Sequence, residues 1–345
     1  MSIETSIEWT VQRLPDGRVV IGSTTNGWSG CTKHLLPSGK VDPECVPCYA
    51  EREEDARRGR SQWGKGKPRT QFKTWKKTLA KLNEAAKRQG VYPFNFISSL
   101  SDWADQDAMV PEAWRDELVD AALAADHMTH LFLTKRAVEG AAYMMRRFPN
   151  GLPPHFWFGV SAGEPEGLRW RLEAAQRVKA DVLFISMEPL AEDCAEHLDA
   201  MLRSGLRLDW LLTGGPSGPF DDMTYPSGKR VVGAWRSVAH SSWYAGVLDV
   251  AGAYGVRRHL KQWGNFAPLD QSQAGVMPTR GVRVSRGGER ELVKDGLVAR
   301  DVWTDTDSSN WEFHGFLGGS NGKHAHGRML NGVTYDEHPA VRYDA

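Results

Sequence analysis

Six segments of this chain share one pattern, a short apolar run that stops abruptly at polar residues. PFNFISSLSD (93–102), HLFLTKR (130–136), HFWFGVSAGE (155–164), DVLFISMEPL (181–190) and LDWLLTGGPSG (208–218) show it clearly; VRRHLKQWG (256–264) is a weaker copy. Runs of this length, rich in Phe, Val, Ile and Leu, are the mark of strands buried in a parallel sheet. Helical patterns lie between them: WRDELVDAALAA (114–125), LRWRLEAAQRVKA (168–180) and SWYAGVLDVAGAYG (242–255), the last closing on Gly255. Alternating strand and helix gives an α/β fold of about six or seven units. The expected architecture is a (β/α) barrel or partial barrel, with a doubly wound open sheet as second choice.

The polar residues fall where each strand ends, and in βα barrels that rim carries the chemistry. The rim set is Ser98, Ser99, Ser101 and Asp102; Thr134, Lys135 and Arg136; Ser161 and Glu164; Ser186 and Glu188; Gly214 and Gly215; Lys261 and Gln262. Any one Ser or Thr after a strand is accounted for as a helix cap or turn residue. Six such clusters together point to a shared pocket. Lys135, Glu188 and Lys261 are charged groups expected at its mouth. Buried charges are costly unless paired, so three on one rim predict a paired network, with a catalytic part in handling protons or substrate charge.

Outside this core the pattern changes. Residues 50–75 are strongly charged and read as a solvated helix or loop. After Leu269 the periodicity fades. The chain is therefore expected to divide into a barrel over 1–269 and a small irregular appendage over 270–345. Lys plus Arg and Asp plus Glu both number 43, which argues against a protein that holds long nucleic acid mainly by charge. No stretch is apolar enough to span a membrane, and MSIETSIEWT has neither the basic flank nor the apolar core of a secretory signal. The expected location is the cytoplasm.

Three of the four cysteines, Cys31, Cys45 and Cys48, are clustered as C-x13-C-x2-C. Such clustering in a chain without a secretion signal reads as metal or redox chemistry. Three thiolates on a four-iron cluster leave one iron open to a small chelating molecule, which is how S-adenosylmethionine is held before reductive cleavage. The spacing admits zinc equally, because His34 completes a set of Cys31, His34, Cys45 and Cys48. Cys194 stands alone, as core and surface cysteines do.

The motifs in their order resemble a phage-encoded family, also found in bacteria, with a three-cysteine motif and a radical-SAM-like barrel. They are IEWT (7–10), NGWSGC (26–31), CVPCYAE (45–51), SSLSDW (98–103), LTKR (133–136), FGVS (158–161), MEPL (187–190), TGGPSG (213–218), KQWG (261–264) and GKHAHGRMLNG (322–332). One departure is Pro216, where the family usually has Glu after the paired glycines.

The resemblance implies a [4Fe–4S] cluster on Cys31, Cys45 and Cys48, carried by a loop after the first strand, and S-adenosylmethionine as co-substrate. By the same analogy Ser99, Ser101 and Asp102 meet the methionine end of that cofactor, Ser161 its ribose and Tyr49 its adenine. An electron donor such as flavodoxin or ferredoxin is the expected partner. The family setting suggests a modified thymine in phage DNA as substrate, in an isomerisation of a glycine-substituted thymidine within the host cytoplasm. The competing class is a zinc-stabilised protein that binds nucleic acid without catalysis, with Arg52, Arg57, Arg58, Lys65, Lys67 and Arg69 on phosphate.

Overall fold

The structure, a computed structural model, describes residues 7–268, 278, 280–293, 310–317 and 326–340. Seven parallel strands lie side by side in chain order: β1 (Ser23–Thr25), β2 (Phe94–Ile97), β3 (Thr129–Thr134), β4 (Phe156–Ser161), β5 (Leu183–Met187), β6 (Trp210–Thr213) and β7 (Arg257–Leu260). A helix of at least nine residues follows each of the first six. These are α1 (Trp75–Gln89), α2 (Glu112–Ala124), α3 (Ala137–Arg147), α4 (Pro165–Ala175), α5 (Ala195–Arg203) and α6 (Ser241–Ala253). β1 and β7 are the two edges, so the sheet is a half-barrel, the partial-barrel form of the expected fold.

The five strands between the two edges are largely apolar because both faces are covered, and their side chains divide with a period of two. Phe132, Phe156, Phe158, Leu183, Ile185 and Leu211 join the helices in the large outer core. Their neighbours Phe94, Leu131, Trp157, Phe184, Trp210 and Leu212 form a separate inner core with Trp9. Gly159 makes room for this layer, since a Cβ there would lie 2.3 Å from the Phe184 ring. The inner aromatics fill the floor of the half-barrel and leave its upper end open.

The connection from β1 to α1 is long and contains all three clustered cysteines. After β7 the chain forms a second, antiparallel sheet of β8 (Phe266–Pro268), β9 (Gly281–Ser285), β10 (Arg290–Val293) and β11 (Trp311–Phe316), in the order β8-β11-β9-β10. It packs Phe220, Phe266, Val282, Val284 and Phe316 together. The sheet begins just before Leu269, and its later strands mix polar with apolar residues, so they carry no apolar run to mark them. A further stretch then returns to the barrel. Asp336 bridges antiparallel to His259 on β7, the Leu260 amide donates to the Tyr335 carbonyl at 2.9 Å, and Trp210 Nε1 donates to the Glu337 carbonyl at 2.8 Å. The motif at 322–332 lies in part outside the described residues; its later half supplies Arg328, whose Nε donates to the Leu260 carbonyl at 3.1 Å. No helix among the described residues is long and apolar enough to cross a membrane.

Candidate active site

Each strand delivers rim residues to one cavity of about 1330 Å³. Of the expected rim set, Gly214 and Glu164 do not line it, and Glu164 caps α4 by accepting from the Gly167 amide at 2.6 Å. Cys31, Cys45, Cys48, Tyr49, Ser99, Ser101, Asp102, Lys135, Ser161, Glu188 and Lys261 all line it, so the residues chosen from sequence converge on one space. His34 and Cys194 are not among its lining. Cys194 is fully buried in the outer core at the start of α5. His34 stacks on Trp170 at 5.7 Å, and its Nδ1 lies 3.1 Å from Arg171 Nη2. A guanidinium at that nitrogen occupies the position a zinc ion would need there, although Nε2 is not so engaged. No three His, Cys, Asp or Glu side chains among the described residues are gathered as a single-ion site.

All four cysteines are free thiols. Cys48 caps a short helix, Tyr49–Glu51, its sulfur accepting from the Glu51 amide at 3.5 Å. The chain then continues as one wider π-type turn over Arg52–Arg57. Burial pushes the Cys45 thiol up to about 12 against the pull of Lys135. Burial also raises Cys31, against the pull of Arg136. Thiolates in such surroundings are costly unless a cation shares their charge, which is what a bound metal centre provides.

The cysteine loop is fastened to the barrel by buried charges. Arg171 on α4 donates to the Ser161 carbonyl at 2.6 Å and also to Asp42 Oδ2. Both side chains of the Arg171–Asp42 pair are wholly buried. Burial raises Asp42, but His34 and Arg171 outweigh it and hold the carboxyl at about 2. On the other side Asp102 is a hub. Its Oδ1 accepts from Thr134 Oγ1 at 2.6 Å and the Ala104 amide at 3.0 Å. Its Oδ2 accepts from the Lys135 amide at 3.1 Å and Arg136 Nη1 at 2.9 Å. Burial raises Asp102, but the Arg136 guanidinium together with the hydrogen bonds from Thr134 and the Ala104 amide outweighs it and holds the carboxyl below its usual range.

The three rim charges do not form one network. Lys261 Nζ pairs with Glu188 and lies 4.7 Å from the Trp9 ring, while Gln262 Nε2 donates to Glu188 at 3.3 Å. Lys135 turns the other way, 3.5 Å from Glu44 Oε2. Sequence reasoning passed over Glu44; its place directly before Cys45 is the signal that could have marked it. Burial pushes its carboxyl up to about 8, although Lys135 pulls it down.

Some polar groups are already committed and some are not. Ser99 Oγ accepts from Asn26 Nδ2 at 2.9 Å, and the Ser99 carbonyl accepts from Tyr49 OH at 2.5 Å. By contrast, Ser98 Oγ, Ser101 Oγ and Glu44 Oε1 are buried without a hydrogen-bond partner, and Glu44 Oε2 has only its ion pair with Lys135. Ser98 also holds a φ of 65°, a left-handed conformation uncommon for a residue with a side chain. Uncommitted polar atoms beside three thiols fit a polar ligand lodged between strand β2 and the cysteine loop. Gly215 lets the backbone after β6 close against the far wall, since a Cβ there would lie 1.9 Å from the Trp263 carbonyl oxygen.

The charged segment 50–75 is not simply solvated. Glu54, Asp55, Gln62, Trp63 and Arg69 are buried. Arg69 donates to the Gln62 carbonyl at 2.8 Å and the Lys67 carbonyl at 2.6 Å, and lies 3.4 Å from Asp105. It therefore cannot reach a phosphate, which removes one contact of the nucleic-acid reading. Arg57, Arg58 and Arg60 do line the cavity, paired with Glu53 and Glu54.

A family model described as "Protein of unknown function (DUF5131)" matches residues 4–339. No curated protein matches the chain.

Proposed function

We propose that this chain, which belongs to the DUF5131 family, is a radical S-adenosylmethionine enzyme with a [4Fe–4S] cluster on Cys31, Cys45 and Cys48. The observation that carries the reading is that these three free thiols line one large cavity at the open end of a parallel half-barrel, together with the buried Ser98 and Ser101 hydroxyls, which have no hydrogen-bond partner. When bound, the cluster supplies an electron that cleaves the cofactor to a 5′-deoxyadenosyl radical. The remaining tasks fall to the protein. The Arg171–Asp42 pair holds the cysteine loop on the barrel. Ser98 and Ser101 offer free hydroxyls to the cofactor. The Lys261–Glu188 pair faces the substrate and is the candidate for moving a proton. Inner-face side chains such as Phe96 and Leu133 keep water from the cavity floor. Zinc is the second reading, but Arg171 beside His34 Nδ1 weakens its fourth ligand.

The substrate in this reading is a modified thymine base in DNA, a glycine adduct isomerised from an N-linked to a C-linked form in the cytoplasm of a host cell. A cavity of about 1330 Å³ has room for a base beside the cofactor. A base in a duplex reaches such a space only by flipping out, at a cost of a few kcal/mol. Arg57, Arg58 and Arg60 on the rim are the groups for flanking phosphates, and the paired glutamates make their hold weak and salt-sensitive. A flavodoxin or ferredoxin is the proposed electron donor.

Anaerobically purified protein tests the core of this. It is expected to be brown, to hold about four irons per chain, and to release 5′-deoxyadenosine from S-adenosylmethionine once reduced. Colourless protein with one tightly held zinc ends the radical reading. For the substrate, reduced enzyme is incubated with DNA carrying glycine-substituted thymine, and the nucleosides are separated. An isomer of unchanged mass and altered retention is expected. Turnover of a free metabolite alone would exclude DNA and leave the radical chemistry standing.

A further inference from the structure

Arg136 follows strand β3 and reaches across to the cysteine loop. Its Nη1 lies 3.8 Å from Cys31 Sγ and donates to Asp102 Oδ2 at 2.9 Å. Its Nη2 donates to the carbonyl of Thr32, the residue after Cys31, and stands 3.3 Å from Asp105 Oδ1. The Thr32 amide in turn donates to Asp105 Oδ2 at 3.0 Å. The Arg136 side chain is 8% exposed. Two carboxylates and one carbonyl therefore fix its plane, and one N–H edge is left against the sulfur.

A fixed cation at a ligating sulfur has an electrical consequence. Reducing a four-iron centre from the 2+ to the 1+ state adds one electron, supplied by an external donor, and spreads negative charge onto its sulfurs. Hydrogen bonds to those sulfurs and the local net charge set how readily this happens. Sequestered from water, the effect of one nearby charge is large. Asp102 works against Arg136, since its charge offsets the guanidinium's.

We infer that Arg136 is a positioning residue that raises the reduction potential of the centre held by Cys31, Cys45 and Cys48, and that Asp102 sets the limit of that rise. The inference rests on the cluster reading above. It assigns the pair an electrical role that the fold alone does not require.

The test is a dithionite titration of anaerobic protein followed by electron paramagnetic resonance, with iron per chain measured on every sample. Arg136→Gln is expected to shift the potential down, so that the ratio of reduced to oxidised centre at a fixed potential falls about tenfold. Arg136→Lys keeps the charge but loses the planar fork, and a smaller downward shift is expected. Asp102→Asn is expected to shift the potential up. Opposite shifts at equal iron content are not what loss of packing produces. If Arg136→Gln loses its iron, the Arg136→Lys and Asp102→Asn pair decides the matter. Unchanged potentials in iron-replete variants overturn the inference and leave the cluster reading intact. Wild-type protein without iron overturns both.

Discussion

At the scale of single residues, what separates the cysteines is where they point. Cys31, Cys45 and Cys48 line the cavity, whereas Cys194 is fully buried among the outer-core side chains. Replacing any one of the first three with Ala is expected to remove iron from the anaerobically purified protein. Cys194→Ala is expected to keep its full iron content and lose about 1 kcal/mol of stability, the usual cost of a small void. Iron lost from the Cys194 variant and kept in the other three would show the wrong ligand set. The cysteines were legible because thiol spacing is a local property. Glu44, Asp105 and Arg171 were not, because the burial of a charge depends on partners far along the chain. Nothing near Asp42 in sequence announces that Arg171 will cover it.

At the scale of elements, the strands were legible and the connections between them less so. A strand covered on both faces is apolar along its length, and five of the seven announced themselves that way. β1 is only Ser23–Thr25, a polar edge strand with no such run, and the cysteines were placed after it by resemblance rather than by its own pattern. The antiparallel sheet β8–β11 was missed because its strands, such as GVRVS and WEFHGF, mix polar with apolar residues and carry no continuous apolar run. The most consequential joint is Arg171–Asp42, which ties the cysteine loop to α4 and to the end of β4. Removing one member of a buried pair strands the other, so Arg171→Met is expected to cost about 3–5 kcal/mol. A lower denaturant midpoint measures it, and faster loss of iron to a chelator shows that the loop has loosened. A midpoint within error of wild type contradicts that view of the joint. Gly215→Ala tests the opposite wall: its Cβ has no room beside the Trp263 carbonyl, and a loss of about 1–3 kcal/mol is expected.

At the scale of the whole molecule, folding also buries, on the helix-covered face of the sheet, a side chain that cannot take up a proton freely. His130 on β3 is fully buried. Its Nδ1 accepts from Asn95 Nδ2 at 2.9 Å and its Nε2 donates to the Ala125 carbonyl at 2.9 Å, which is the neutral ring. Burial lowers its pKa from 6.5 to about 3. Between those values the unfolded chain binds a proton that the folded chain does not, so this contribution to stability falls as pH drops below 6.5. From pH 7 to pH 5 the loss from His130 is about 2 kcal/mol. In His130→Gln that part of the pH dependence is expected to vanish, whatever the variant's absolute stability. Denaturant midpoints of both proteins at pH 7 and pH 5 give the comparison, and parallel pH profiles count against it.

The stretch that returns to lie along β7 has a colloidal consequence. An uncovered sheet edge is a row of free donors and acceptors that another molecule can extend, and β7 offers such a row directly over the aromatic interior. Tyr335, Asp336 and Glu337 occupy it from the same chain, joined by Arg328. Shielding that edge from other molecules thus falls to a few residues that do not line the cavity. A chain truncated before His326 is expected to retain the cysteine loop yet scatter light and elute as aggregates, while Arg328→Ala shows a milder form of the same behaviour. A truncated protein that remains monodisperse would mean that the edge is guarded by something other than this strap.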